Sequence, residues 1–437
     1  MLGILRNQTY SRLFTAQVIA LLGTGLMTVA LGLLAYELAG ADAGAVLGTA
    51  LAIKMIAYVG VAPVAQALSD NLPRRALLVS LDVFRAAVAL SLPFITEVWQ
   101  IYVLIFLLQV ASASFTPTFQ AVIPDILPDE EEYTRALSLS RLAYDLENLI
   151  SPMLAAALLT VISFHYLFAG TVAGFLVSAV LILSITLPAA TAKTRRSFAE
   201  RTTRGMRIYL ATPRLRGLLA ISLAVAAAGA MVIVNTVVIV QARFGLSEVE
   251  VAWAFAAFGS GSMVAALALP QLLDRVADRP VMIAGAVILT VGTALGAAVN
   301  NYAALLPLWL VIGIGYSAAQ TPSGRLLRRS AQSEDRPAIF AAQFALSHAC
   351  WLVSYPLAGQ LGARIGLEAT FLVMAAIAAV AIVLAVKFWP AEEAADIPHE
   401  HPELAPDHPH LREHRTGGKH RHAYVIDDLH PRWPSAA

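Results

Sequence analysis

Nonpolar residues in this chain come as long uninterrupted runs rather than as alternating or one-faced stripes. Twelve such runs follow one another, at 13–37, 45–68, 76–96, 100–122, 137–162, 165–188, 215–241, 249–273, 280–299, 302–323, 338–362 and 367–388. An α-helix rises about 1.5 Å per residue, so roughly 20 residues cross the hydrocarbon core of a bilayer. The pattern predicts an all-α membrane protein with twelve transmembrane helices.

The polar connections between the runs carry the next layer of information. Arginine and lysine collect on alternate sides: Arg6 and Arg12 before the first run, Arg74 and Arg75 after the second, Lys193 to Arg207 after the sixth, Arg275 and Arg279 after the eighth, and Arg325, Arg328, Arg329 and Arg336 after the tenth. Basic loops stay in the cytoplasm, so both termini are expected there, with the chain in the inner (plasma) membrane. The one long basic connection, 189–214, divides the chain into six-helix units at 1–188 and 215–388, followed by a tail at 389–437. That connection reads as a solvated linker near anionic headgroups. The halves also echo one another at an offset of 204 to 205 residues: Asp70 with Asp274, Thr116-Pro117 with Thr321-Pro322, Pro152 with Pro356. Duplication into two bundles around a central cavity is the build of an alternating-access carrier.

Composition narrows the function classes. At 58% hydrophobic and 14% charged residues, with a formal net charge of +1, the chain lacks the basic surplus of a nucleic-acid binder. A single cysteine, Cys350, leaves no disulfide framework. The first residues lack a signal-peptide cleavage pattern, so the first run is expected to be kept as a span. No nucleotide loop, His-Glu-x-x-His or nucleophile constellation points to an enzyme.

Two motifs carry a resemblance. The loop Gln66 to Arg75 is similar to the signature G-x-L-A-D-R-x-G-R-R/K of the major facilitator superfamily: Leu68, Asp70, Arg74 and Arg75 match, Gln66 and Pro73 stand for glycines, and Asn71 for an arginine. A weaker second copy holds Asp274 and Arg275, with Arg279 behind. The resemblance implies two six-helix bundles, a monomer, and a cytoplasmic latch between the halves at this loop. Ser151-Pro152-Met153-Leu154-Ala155-Ala156 resembles the antiporter signature G-P-x-x-G-G with other small residues for its glycines, which implies export and a close, bendable contact between halves. The stretch from Phe115 to Ser138 resembles the branch holding siderophore, macrolide and nickel-resistance exporters.

Charge inside a span is costly, so each instance needs a partner or a task. In the fifth span Arg141, Asp145, Asn148 and Pro152 share a helical stripe, either as a self-neutralising pair or as a cavity-facing proton or cation site; Glu147 points to another face. Asp82 and Arg85 read as a structural pair. Lys54 and His348 lie near the midplane on helices that the resemblance sets facing one another, and either could exchange protons during transport. Gln17, Gln109, Asn235 and Gln343 either contact cargo or bridge helices.

Eight of the ten histidines fall in the last 49 residues, including His399, His401, His408, His410, His414, His420 and His422. Imidazoles interleaved with carboxylates suit divalent transition ions. The tail is otherwise expected to be largely disordered, while residues 422–434 are more apolar and suited to dock on the body. No cofactor is expected apart from a divalent metal ion, as cargo or bound to the tail. The combined expectation is a proton-coupled exporter of divalent metal, nickel or cobalt above others, because body and tail together resemble nickel-resistance permeases. Drug or siderophore efflux is the competing reading, and a non-transporting membrane metal sensor a third.

Overall fold

The computed structural model describes residues 2–69, 73–187, 198–332 and 335–391, and in the tail 397–398, 411, 415–416, 419–422, 424–427, 429–430 and 432–434. At some of these, including 61–69, Arg141, Asp145 and Pro152, the description covers the backbone alone.

Fourteen α-helices follow in order: α1 (Gln8–Ala39), α2 (Ala43–Ser69), α3 (Arg74–Ser91), α4 (Val98–Ile126), α5 (Glu130–Leu159), α6 (His165–Leu183), α7 (Phe198–Ala211), α8 (Pro213–Val237), α9 (Glu248–Leu273), α10 (Asp278–Gly296), α11 (Tyr302–Gln320), α12 (Ser323–Arg329), α13 (Arg336–Ile365) and α14 (Leu367–Phe388). All but α7 and α12 coincide with the twelve predicted runs. Among the described residues ten stretches are long and apolar enough to cross a membrane; one runs through both α1 and α2, and α5 is not among them. Capping groups fix several starts: Asn7 Oδ1 accepts from Tyr10 N at 3.1 Å, Asn301 Oδ1 from Ala304 N at 2.9 Å, and Ser247 with Glu250 forms a capping box. Gly366, at φ 84°, ends α13 and lets α14 begin at the next residue, a backbone turn that side chains with a Cβ disfavour.

In the first half α1 packs on α5 and α6, α2 on α4, and α3 on α4 and α6; in the second α8 packs on α13 and α14, α9 on α11, and α10 on α11 and α14. Lipid offers no hydrophobic drive between helices, so small residues at crossings set how closely backbones approach. Gly313 of α11 faces the Phe258 carbonyl of α9, and Gly285 of α10 faces Gly315 and Ala319 of α11. Large aliphatic side chains such as Val180, Val264 and Val383 point outward, as a lipid-facing surface requires.

The halves meet along α2 with α13 and α5 with α9. A Cβ at Gly48 would lie 2.5 Å from the Tyr355 carbonyl oxygen, and one at Gly359 would overlap the Gly44 carbonyl. These glycines lie near the start of α2 and the end of α13, so the seam closes the molecule on the side opposite its termini. The side carrying the termini and most loop arginines is called the basic face below.

Two expectations are corrected here. The connection 189–214 is not simply a solvated linker: α7 lies within it and packs against α13, with Gly205 on the Ala338 carbonyl. Its alternation of Arg204 and Arg207 with Met206, Ile208 and Tyr209 gives one apolar face, and burying that face outweighs the polarity of the segment. The described pieces of the tail carry structure that its composition does not imply. Short antiparallel strands Ile397–Pro398, Arg415–Thr416 and Lys419–His422 pair in it, and Tyr424, Val425 and Ile426 are buried.

Candidate functional site

Three helices of the first half converge near the middle of the membrane. Glu147 of α5 sends its Cγ to within 3.5 Å of where a Cβ on Gly25 of α1 would sit, and Ser151, one turn further along α5, presses on the same glycine. Lys54 of α2 lies within electrostatic reach of Glu147, and the two attract one another. Glycine at position 25 is what leaves room for this approach. The Ser151 hydroxyl is buried without a hydrogen-bond partner in this arrangement. The stripe expected from sequence runs through Arg141 and Asp145, whose side chains lie outside the described residues, and leaves Glu147 on another face; the partner that Lys54 has in the structure is Glu147. The usable signal is its i,i+4 spacing to Ser151, which places it on the face carrying the small-residue motif.

Across the interface, α13 presents Phe344, His348, Trp351 and Tyr355 at a 4-3-4 spacing, which keeps them on one helical face. His348 stacks on Phe344 with ring centroids 3.8 Å apart, and its Nδ1 lies 2.7 Å from the Phe344 carbonyl oxygen. Tyr58 of α2, one turn beyond Lys54, lies 6.0 Å from the His348 ring and 6.1 Å from Phe344. Trp351 and Tyr355 continue the stripe at 4.8 Å, toward the glycine seam. Lys54 and His348 thus border one aromatic strip, with Tyr58 between them, and the cation's charge is answered from α5.

The predicted latch is distributed differently from the motif. Asp70 lies outside the described residues. Arg74 donates to Asp125 at the end of α4, and Arg75 to the Leu183 carbonyl. In the second half Asp274 and Arg275 are exposed, and the buried carboxylate is Asp278, to which Arg325 donates through Nε at 2.8 Å while Arg329 lies at 3.8 Å. An offset of 204 superimposes Arg74 on Asp278 and Asp125 on Arg329, so the two halves hold equivalent ion pairs of opposite polarity. Matching residue types between copies finds Asp274; matching positions with charges reversed finds Asp278.

Other polar groups hold helices together. Asp82 pairs with Arg85 and accepts from Ser178 Oγ at 2.7 Å, while the Arg85 guanidinium lies 4.2 Å from the Phe115 ring centre and 4.4 Å from that of Phe175. Gln17 accepts from Ser140, and Gln343 accepts from Tyr209 and donates to Ser222. Asn235 of α8 donates to the Ala358 carbonyl at 3.2 Å beside Gly44, bracketing the seam. Ala155 and Ala156 are buried with Ser151, and the close contact Ser151 makes is with α1 of its own half, not across the interface as its motif suggested. The small side chain is used where two helices of one bundle cross.

His399, His401, His408, His410 and His414 lie outside the described residues, and His420 and His422 are described as strand backbone alone. Among the described residues no group of three or more His, Cys, Asp or Glu side chains gathers as a metal site.

The model of the Major Facilitator Superfamily matches the chain twice, over residues 13–247 and 218–415. The chain is 24% identical over 152 residues to macrolide efflux protein A of Enterococcus faecalis, covering 32% of this chain and 47% of that protein. It is 27% identical over 120 residues to the uncharacterized MFS-type transporter YfiS of Bacillus subtilis (strain 168), covering 28% of each. These matches span less than half the length of either relative. Among solved structures, a bacterial homolog of the human lysosomal transporter Spinster, inward-facing and unoccupied, superposes with a TM-score of 0.68 at 11% identity, covering 89% of this chain and 99% of that one. The nucleoside transporter NupG does so with a TM-score of 0.64 at 12% identity, covering 87% and 98%; at such identities the likeness concerns the fold. The paired family matches, together with the duplicated six-helix halves, make this chain a multi-pass membrane transporter, not an enzyme, and a member of the Major Facilitator Superfamily.

Proposed function

We propose that this transporter exports an amphipathic organic solute from the cytoplasm across the plasma membrane in exchange for protons, with the basic face inward. The observation that carries this reading is the strip of Tyr58, Phe344, His348, Trp351 and Tyr355 along the α2–α13 interface, beside the Lys54–Glu147 pair. Aromatic faces suit a flat, partly apolar solute, and the half-buried, mutually attracting Lys54 and Glu147 supply the polar anchor. Glu147 and Lys54 attract one another in an apolar surround. Movement of α2 against α5 that weakens this attraction favours uptake of a proton by the carboxylate, and a rocking of the halves converts that exchange into transport. The macrolide efflux proteins among the relatives support the direction and the cargo class.

A second reading, export of nickel or cobalt, is favoured by the His-x-His pairs of the tail. The test is uptake into inverted membrane vesicles with an imposed pH gradient, comparing a lipophilic cationic dye, a macrolide, nickel and cobalt. Gradient-dependent accumulation of dye or macrolide is expected; accumulation of the metals alone would replace the cargo assignment. Absence of any flux would favour a sensor.

A further inference from the structure

The described residues between Tyr424 and Trp433 are held in a compact turn. Asp427 Oδ1 accepts from Leu429 N at 2.9 Å, from His430 N at 2.8 Å and from His430 Nδ1 at 2.7 Å, which closes a tight turn. The Tyr424 hydroxyl donates to the Arg432 carbonyl at 2.7 Å, and the Tyr424 ring meets His430 and Trp433 edge-on at 4.7 and 5.2 Å. Within this small fold Ile426 is fully buried, and both Ile426 and Tyr424 belong to the main apolar core of the body. Such burial in so short a segment requires the body to cover it.

The contact point on the body is Arg214, at the junction of α7 and α8. Its guanidinium lies 5.4 Å from the Trp433 ring centre, while its Nε donates to Ser330 Oγ at 2.7 Å and its Nη2 to the Arg329 carbonyl at 3.1 Å, both at the end of α12. From that junction α7 reaches the base of α13. Arg204 holds Asp335, the N-cap of α13, through Nε at 2.5 Å and Nη2 at 2.9 Å, and Tyr209 donates to Gln343, the residue before Phe344 of the aromatic stripe. A continuous set of packed and hydrogen-bonded groups therefore runs from the C-terminal segment through Arg214 and α7 to the helix that lines the interface between halves.

We propose that Tyr424–Trp433 is an intramolecular clasp that restrains α7 and, through it, the base of α13, so that its release loosens the stripe-bearing helix. The clasp acts on the moving parts and not on the cargo, so it stands whichever solute is carried. It makes the C-terminal segment a conformational control on the carrier, with the docked state the more restrained one.

Cys350, the single cysteine and half-buried on α13 two residues beyond His348, is a native reporter. In the full-length protein in membranes, Trp433→Ala, Ile426→Asp and Arg214→Ala are each expected to raise the rate of Cys350 modification by a small maleimide about threefold or more, while Trp433→Phe leaves it near the native rate. Docking is read separately with Cys350→Ala and a cysteine placed at Ile426, which should react about tenfold more slowly than one placed at the exposed Ala391. Rapid reaction at position 426 would overturn the docking. Slow reaction there, with an unchanged Cys350 rate in monodisperse Trp433→Ala and Arg214→Ala proteins, would overturn the coupling to α13.

Discussion

Arg74 and Asp278 stand at equivalent places at the starts of α3 and α10, and the ion pair each makes is the charge reverse of the other's. An attraction between two groups survives exchange of their signs, so the duplicated halves keep the contact while its residue types diverge. Breaking a part-buried pair leaves one charge short of its partner, whereas swapping both charges restores the pair. Arg74→Ala and Asp125→Ala are each expected to destabilise the detergent-solubilised protein by about 2 kcal/mol, and the double swap Arg74→Asp with Asp125→Arg to recover more than half. Thermal melts followed by size-exclusion recovery check this; a swap no better than the single variants would deny a direct pair.

Glu147 is assigned the proton-carrying role, and Lys54 the part of holding its charge. Glu147→Gln removes the titrating oxygen while keeping shape. Gradient-driven export should fall by at least about tenfold, and cargo exchange without a gradient should persist, because binding and rocking do not need the proton. Equal loss of both activities would place Glu147 in cargo binding or in structure instead.

At the α2–α13 seam the prediction is steric. A side chain at Gly48 meets the Tyr355 backbone oxygen, which has little freedom to withdraw. Gly48→Val should keep the halves apart on the side opposite the basic face and abolish transport, with the folded protein still recovered. In a Cys350→Ala background, a cysteine replacing the buried Ser354 should then react from that side at least about fivefold faster than without Gly48→Val. Normal transport by Gly48→Val would show that closure of this seam is dispensable.

The C-terminal clasp carries its own pH dependence. Burial alone would push the Asp427 carboxyl up, but the hydrogen bond and attraction of His430, with the backbone N–H groups of His430 and Leu429, hold it below its ordinary value of 3.8. The docked state therefore binds this proton less readily than the undocked one. Its contribution to docking is complete above the ordinary value and is lost as pH falls through the lowered one. Reaction of a cysteine at position 426 should stay slow from pH 7 down to the ordinary carboxylate range and accelerate below it, as followed with an acid-tolerant thiol reagent. Asp427→Asn should undock at pH 7 and flatten the profile; an unaltered profile would remove Asp427 from the turn's support.

The transmembrane helices were legible because a span is a long signal, and a run of about 20 apolar residues suits little besides a bilayer. Shorter features were harder to read. The polar face of α7, with Thr203 and Arg207, disguised the apolar face formed by Met206, Ile208 and Tyr209, since average polarity hides a stripe that only helical geometry separates. Lys54 and His348 could be placed by depth, but depth does not choose among partners on neighbouring helices. That choice rests on Gly25, whose missing side chain admits Glu147 and which carries no charge to draw notice. Tyr424, Val425 and Ile426 did stand out in a polar tail, whereas the body surface that receives them is assembled from segments more than a hundred residues apart and cannot be seen along the chain.

Trp389 is buried at the end of α14, packed over Gly217, with its carbonyl accepting from Arg279 Nε at 2.8 Å; Trp433 is held by Arg214 on the same face. In sequence all eight C-terminal histidines lie between these two tryptophans, each of which is held on the body. A chain held at two points reaches less far than one held at a single point: with an extended residue spanning roughly 3.4 Å, the chain between the two tryptophans reaches at most about 75 Å out and back. Both ends of the His-rich stretch are thereby tied to the basic face, and on the second proposed reading an ion held by its imidazoles would be kept close to that face.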